Sequence, residues 1–203
     1  VLGILLAGLG TLAAADQELR VTLADLPSPQ TQTITDQTGT GSAHPRQRFS
    51  DGIEVFWLHG PARGSSGLLF AIGGDYERIR AAHGVRGLDI DIAGFGASGR
   101  IGYALPLAPH WHLELPLRLA AGFCADRAIP ATSVDAPPGV FYSIAALPTV
   151  VWEPYHHLPC LAAIGYQFAG ASMTYDNLPG MPKVTERIRN DGLIVQIGSG
   201  YSF

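Results

Sequence analysis

The last eleven residues, Leu193-Ile-Val-Gln-Ile-Gly-Ser-Gly-Tyr-Ser-Phe203, alternate between large apolar and small or polar side chains. Leu193, Val195, Ile197, Tyr201 and Phe203 share one parity, and Gln196, Gly198, Gly200 and Ser202 share the other. Successive side chains of a strand point to opposite faces, so one face of this segment suits hydrocarbon and the other a small, polar interior. Only Ser199 breaks the apolar face. With its apolar face toward lipid, such a segment is one strand of a closed sheet, because an open sheet edge cannot stand in lipid.

The same pattern recurs upstream. Over 111–124, Trp111, Leu113, Leu115, Leu117, Leu119 and Phe123 alternate with His112, Glu114, Pro116, Arg118, Gly122 and Cys124. Over 67–79, Leu68, Phe70, Ile72 and Tyr76 oppose Ala71, Gly73, Asp75 and Glu77, and over 86–96, Leu88, Ile90 and Ile92 oppose Asp89, Asp91 and Ala93. The chain is 47% hydrophobic and 15% charged, yet after residue 15 no apolar run is long enough for a membrane helix, so hydrophobicity is spent on alternation and the fold reads as all-β. A formal charge of −4 with no basic patch excludes a nucleic-acid partner.

The chain divides into three parts. Val1 to Leu12 is uncharged and apolar, too short to span a bilayer, and Ala13-Ala14-Ala15 follows it, so 1–15 reads as a partial signal peptide and the mature chain as exported. Residues 16–51, rich in Thr, Gln, Ser and Pro, have few large apolar residues and read as a flexible periplasmic arm. Residues 52–203 supply eight strands, at 53–62, 67–79, 86–96, 99–108, 111–124, 139–152, 159–174 and 192–203. With Phe203 at the periplasmic side, the turns at 81–84, 108–110 and 153–157 fall there too, and 125–138 and 175–191 become outer loops.

An exported chain ending in an alternating strand with a terminal Phe resembles the small bacterial outer-membrane β-barrels of the OmpA/OmpX and opacity-protein type. The resemblance covers 52–203 and implies an eight-stranded antiparallel up-and-down transmembrane β-barrel in the bacterial outer membrane. It further implies outer-membrane lipid and lipopolysaccharide as surroundings, the barrel-assembly machinery as reader of the last strand, and a monomer. The rival architecture, a soluble lipocalin-like barrel, would put its apolar face inside.

The alternation places Asp75, Glu77, Asp89, Asp91, Arg100, Glu114 and Arg118 in the lumen as one ionic network. An eight-stranded lumen is just wide enough for side chains to fill, so a plugged barrel with a structural or surface-interaction role is the leading function. The alternative is a narrow cation-preferring channel, from the excess of carboxylates. Tyr76, Trp111, Trp152, Tyr155, Tyr201 and Phe203 read as an interfacial aromatic girdle. Lys183, Arg187 and Arg189 are candidate lipopolysaccharide contacts. A lipid A-modifying acyl enzyme ranks lower: His112 and Glu114 share a face, but no histidine is followed two residues later by serine. No cofactor is called for, and His110, His112 and His156-His157 do not make a metal ligand set. Cys124 and Cys160 lie on non-adjacent strands, too far apart to bridge.

Overall fold

The computed structural model describes residues 16–27, 30–47, 50–82, 84–85, 89–126, 138–155, 157–178 and 181–203. Its strands are β1 (Asp16–Asp25), β2 (Thr31–Asp36), β3 (Gly39–Ala43), β4 (Arg46–Gln47), β5 (Asp51–Gly60), β6 (Gly67–Ala82) and β7 (Ile90–Ala108). They continue as β8 (Trp111–Glu114), β9 (Leu117–Asp126), β10 (Gly139–Ala146), β11 (Thr149–Tyr155), β12 (Leu158–Leu178), β13 (Met181–Arg189) and β14 (Gly192–Ser202). All pair antiparallel in a single 14-stranded sheet.

The segments fall on eight positions. β1 continued by β2 is the first, β3 to β5 the second, β6 the third and β7 the fourth. β8 with β9, β10 with β11, β12, and β13 with β14 complete the circuit, and β14 pairs back onto β1, Leu19 opposite Tyr201. An eight-stranded barrel is thereby built, with long, uneven hairpins at one end. There the β12–β13 and β2–β3 hairpins run on past the ring, and β3 pairs with β2 alone among the described residues.

The interruptions within one position have local causes. Pro116 separates β8 from β9 and Pro148 separates β10 from β11, because proline has no N–H to give to a ladder. The two kinks lie side by side: the Leu147 N–H donates to the Pro116 carbonyl at 3.1 Å. Neighbouring strands close on them through Gly102 and Gly165, where a Cβ would stand 2.5 Å from the Leu115 oxygen and 1.9 Å from the Ala146 oxygen.

Two expectations about this framework are corrected. Residues 16–25, expected in an arm, are a full barrel strand: Leu19, Val21 and Leu23 point outward while Glu18, Arg20 and Thr22 are buried inside. The domain thus begins at Asp16 among the described residues, not at 52. Over 90–108 the expected strands 86–96 and 99–108 are one strand, β7, while 86–88 lie outside the described residues. The count of eight survives because one strand was omitted and one was split. Residues 1–15, expected as a signal peptide, lie outside the described residues, as do 127–137 of the expected outer loop.

The merger of the two strands into β7 also reverses ends. The proximal rim holds Asp16, the connections at 61–66 and 109–110, His157 and Phe203. Of the 81–84 segment, expected beside 108–110, the described residues Ala81, Ala82 and Gly84 stand at the distal end instead, His83 lying outside the described residues, and Ala97-Ser98, expected as a loop, is mid-strand.

The wall faces two solvents. Around the ring Val21, Val55, Ile72, Phe95, Leu119, Ile144, Ile164 and Val195 are exposed, while inside lie buried glutamates and arginines. In the distal extension the order is inverted: Ile90, Ile92, Phe141, Met173, Val184 and Ile188 form a core, and Arg78, Arg80, Lys183 and Arg187 lie outside. An outward apolar belt enclosing charges is the arrangement of a membrane barrel; the extension has that of a domain in water.

Candidate functional site in the barrel lumen

Even-numbered residues of β5, β7 and β9 and odd-numbered residues of β6 point inward, and this parity assembles the site. Its waist is organised by Arg118 and Arg100. The Arg118 guanidinium donates to Glu54 at 3.1 Å, Asp75 at 2.6 Å, Glu77 at 3.2 Å and the Ser143 hydroxyl at 3.0 Å. Arg100 pairs with Glu54, donates to the Gln196 side-chain oxygen at 3.0 Å, and lays its guanidinium 4.2 Å from the Phe56 ring centre. Ser98 donates to Glu54 at 2.7 Å. These groups come from β5, β6, β7, β9, β10 and β14, so the network crosses the lumen rather than lining one wall. Charges this deeply buried are tolerated only when paired and hydrogen-bonded.

A second cluster lies nearer the proximal rim. Arg20 grips Glu114 with two parallel bonds, 2.7 and 2.8 Å, and donates to Glu18 at 2.6 Å. A two-pronged guanidinium–carboxylate pair fixes both direction and distance. His112 adds a 3.0 Å contact to Glu114, so the expected His112–Glu114 pair is real, and its other ring nitrogen is 3.9 Å from Glu153. Arg63 bridges Glu153 at 3.3 Å and Asp16 at 3.6 Å. Together these residues surround a vestibule of about 510 Å³ that opens at the proximal rim and ends on the Arg20–Glu114 pair.

Asp75, Glu77, Arg100, Glu114 and Arg118 are therefore brought into the lumen as expected, with Glu114 in the proximal cluster. Asp89 and Asp91 are not. Asp89 is exposed, and Asp91 sits on the outer surface of the extension, where it accepts two bonds from Arg78 at 2.8 and 2.7 Å. The physical reason is continuity of β7: Phe95, Ile101 and Tyr103 face out, so on an unbroken strand Ile90 and Ile92 face in and Asp91 faces out. Glu18, Arg20 and Glu54 belong to the network but were missed. The signal for them was present, since Glu18 and Arg20 alternate with Leu19, Val21 and Leu23, and Glu54 with Ile53 and Val55.

Five of the expected girdle residues gather at the proximal rim. Trp111 stacks on Trp152 at 5.8 Å, Tyr201 meets Phe203 edge-on at 5.3 Å, and Tyr155 is exposed there. Trp57, not foreseen, stacks on Phe203 at 5.3 Å. Tyr76 is not part of this rim: it is half-buried, opposite Ile53 and Phe95, toward the distal side. Lys183, Arg187 and Arg189 all lie exposed on the outer face of β13, a strand rather than a loop. Cys124 and Cys160 are free thiols, on β9 and β12. Among the described residues, no group of three or more His, Cys, Asp or Glu is arranged to hold a metal ion.

No protein-family model and no curated protein matches the chain. Among solved structures it is similar to the outer membrane protein OprG from Pseudomonas aeruginosa, with a TM-score of 0.63 and 14% identity over 94% of this chain and 96% of that one. Two others are Neisserial surface protein A, with a TM-score of 0.48, 12% identity, and 93% and 99% of the chains covered, and Ail of Yersinia pestis in complex with the heparin analogue sucrose octasulfate, with 0.48, 10%, 93% and 99%. The similarity to OprG establishes the fold, that of the small outer-membrane β-barrels.

Proposed function

We propose that this protein is an outer-membrane barrel that conducts nothing through its waist and serves a structural or surface-interaction role through its distal extension. The observation that carries this reading is Arg118, which is 1% exposed and reaches three carboxylates on two strands from a third, with the Ser143 hydroxyl on a fourth. An eight-stranded barrel has room for side chains and little else. Distal to the network the lumen is filled again, by the Ile90, Phe141, Met173 and Ile188 core. Short connections at the proximal rim and long hairpins at the distal end fit the periplasmic and outer sides in that order.

The second reading, a narrow cation-preferring channel, rests on the lumen charges: Glu18, Glu54, Asp75, Glu77 and Glu114 face Arg20, Arg100 and Arg118, and the vestibule leads to them. An acidic excess in a constriction favours cations. Single-channel recording of refolded protein in a planar bilayer under asymmetric salt separates the two. Electrical silence from protein shown to be folded and inserted is expected. Steady cation-selective steps would replace the plug with the channel.

A further inference from the structure

The outer face of the extension is not uniform around its circumference. On the β5–β6–β7 side the outward cations are neutralised: Arg78 by Asp91 and Arg80 by Asp51 at 2.7 Å. On the β13 side neutralisation is less complete. Arg187 and Lys183 are exposed and make no ion pair among the described residues, although Lys183 stands opposite Asp176 in register, and Arg189 pairs with Asp191 yet leaves 68% of its side chain exposed.

These cations are set into rows of hydroxyls. Arg187 stands between Thr33 and Ser172, with Ser42 beyond Thr33, where the Thr33 and Ser42 hydroxyls are 3.3 Å apart. The next row is Thr40, Thr35, Thr185 and Thr174, with hydroxyl separations of 3.2 Å for Thr35–Thr40 and 3.5 Å for Thr174–Thr185. Successive same-face rows of a sheet lie about 6.6 to 6.8 Å apart. Directly proximal is the apolar belt: Leu193 is four residues from Arg189, and Phe168 is two residues from Gly170, which pairs with Arg189. The Tyr142 ring lies over Gly170, where a Cβ would come within 2.9 Å of it, and so flanks Arg189.

From this placement we propose that the outer face of β2, β3, β12 and β13 binds a phosphorylated glycolipid of the outer leaflet. Its phosphates are held by Arg187, Arg189 and Lys183, its sugar hydroxyls by the threonine and serine rows, and its acyl chains lie along Phe168, Leu193 and Val195. Guanidinium groups match phosphate oxygens in geometry as well as charge. A soluble anion would use the cations but not the adjoining belt, and an uncharged lipid would use the belt but not the cations. The proposal rests on the outer placement of the distal end proposed above, and binding measured in detergent reads the site independently of that placement.

The test is the affinity of detergent-refolded protein for bis-phosphorylated lipid A, measured by thermophoresis or by native mass spectrometry of retained lipid. Folding of each variant is checked by heat-modifiable migration. The variant Lys183→Gln/Arg187→Gln/Arg189→Gln is expected to bind about tenfold more weakly or worse, and Arg187→Gln alone about threefold, on the strength of charged phosphate contacts. The control Arg78→Gln/Arg80→Gln is expected to stay within about twofold, since those cations are already occupied by carboxylates. Dephosphorylated lipid A should bind native protein as weakly as lipid A binds the triple variant. Equal affinity in native and triple-variant protein would overturn the site. Competition by inorganic phosphate as effective as that by lipid A would overturn the lipid as its occupant.

Discussion

The membrane ring and the distal extension are made from the same strands, yet they dress their faces in opposite ways. On β6, Phe70 and Ile72 face out while Asp75 and Glu77 are buried; a few residues on, Arg78 and Arg80 face out while Ile79 and Ala81 are buried. On β7, Ile92 is inside and Asp91 outside, whereas Arg100 is inside and Ile101 outside. The pleat never changes parity; the surroundings change. Hydrocarbon outside forces apolar side chains outward and leaves charges the lumen, where each must find a partner. Water outside restores the ordinary rule.

The comparison is broken most severely by removing the cation at the centre of the lumen network. Arg118→Met leaves Asp75 and Glu77 without their cation, Glu54 keeping Arg100 and Ser98, and breaking a buried pair in this way costs about 3–5 kcal/mol. Urea unfolding in lipid vesicles reads that loss. An unchanged midpoint would mean that the carboxylates do not depend on Arg118. A milder contrast sets equal substitutions on the two walls. Leu119→Arg, on the belt, should cost about 2–4 kcal/mol, the penalty for a cation on a lipid face near the midplane. Thr185→Arg, on the extension, should stay within about 0.5 kcal/mol, as surface substitutions do. Similar costs at both positions would erase the boundary between the regions.

The smallest effect sharpens the extension alone. Glu186 is buried in its core, accepting bonds from Gln32 at 2.5 Å and the Tyr175 hydroxyl at 3.1 Å, and burial holds its carboxyl above the usual range. The folded state then keeps a proton that the unfolded chain gives up. Stability is therefore full below the ordinary carboxylate range and falls as pH rises through the raised folded value. Glu186→Gln should flatten that decline and be more stable than native protein above the raised folded value. Parallel pH profiles of thermal unfolding for native and variant protein would remove Glu186 as its source.

Alternation made the ring legible wherever one solvent acts along the whole strand. The 192–203 segment and the outward leucines of 111–124 needed no further information, and the lumen positions of Arg118 and Glu114 followed from them. The proline kink at 116 left that parity intact. The errors fall at the polarity boundary. Asp89 and Asp91 alternate with Ile90 and Ile92 as cleanly as any membrane strand does, but alternation carries no sign, and in the extension its sign is reversed. β1 was hidden for a related reason. Its own ten residues alternate well, but the Thr, Ser and Gly of β2 and β3 that follow belong to the water-exposed hairpin and dilute the window. The cations of β13 were recognised, while their place among threonine rows depends on registers between strands far apart in sequence.

The boundary itself can be measured with single nitroxide labels on a cysteine-free background, at 119 and 195 in the belt and at 80 and 187 in the extension, by comparing collision with oxygen and with a water-soluble nickel complex in liposomes. Labels at 119 and 195 should favour oxygen, and those at 80 and 187 should favour nickel. All four labels meeting the nickel complex equally would mean that the apolar belt does not stand in lipid, and would contradict the reading of this chain as a membrane barrel with a water-facing extension.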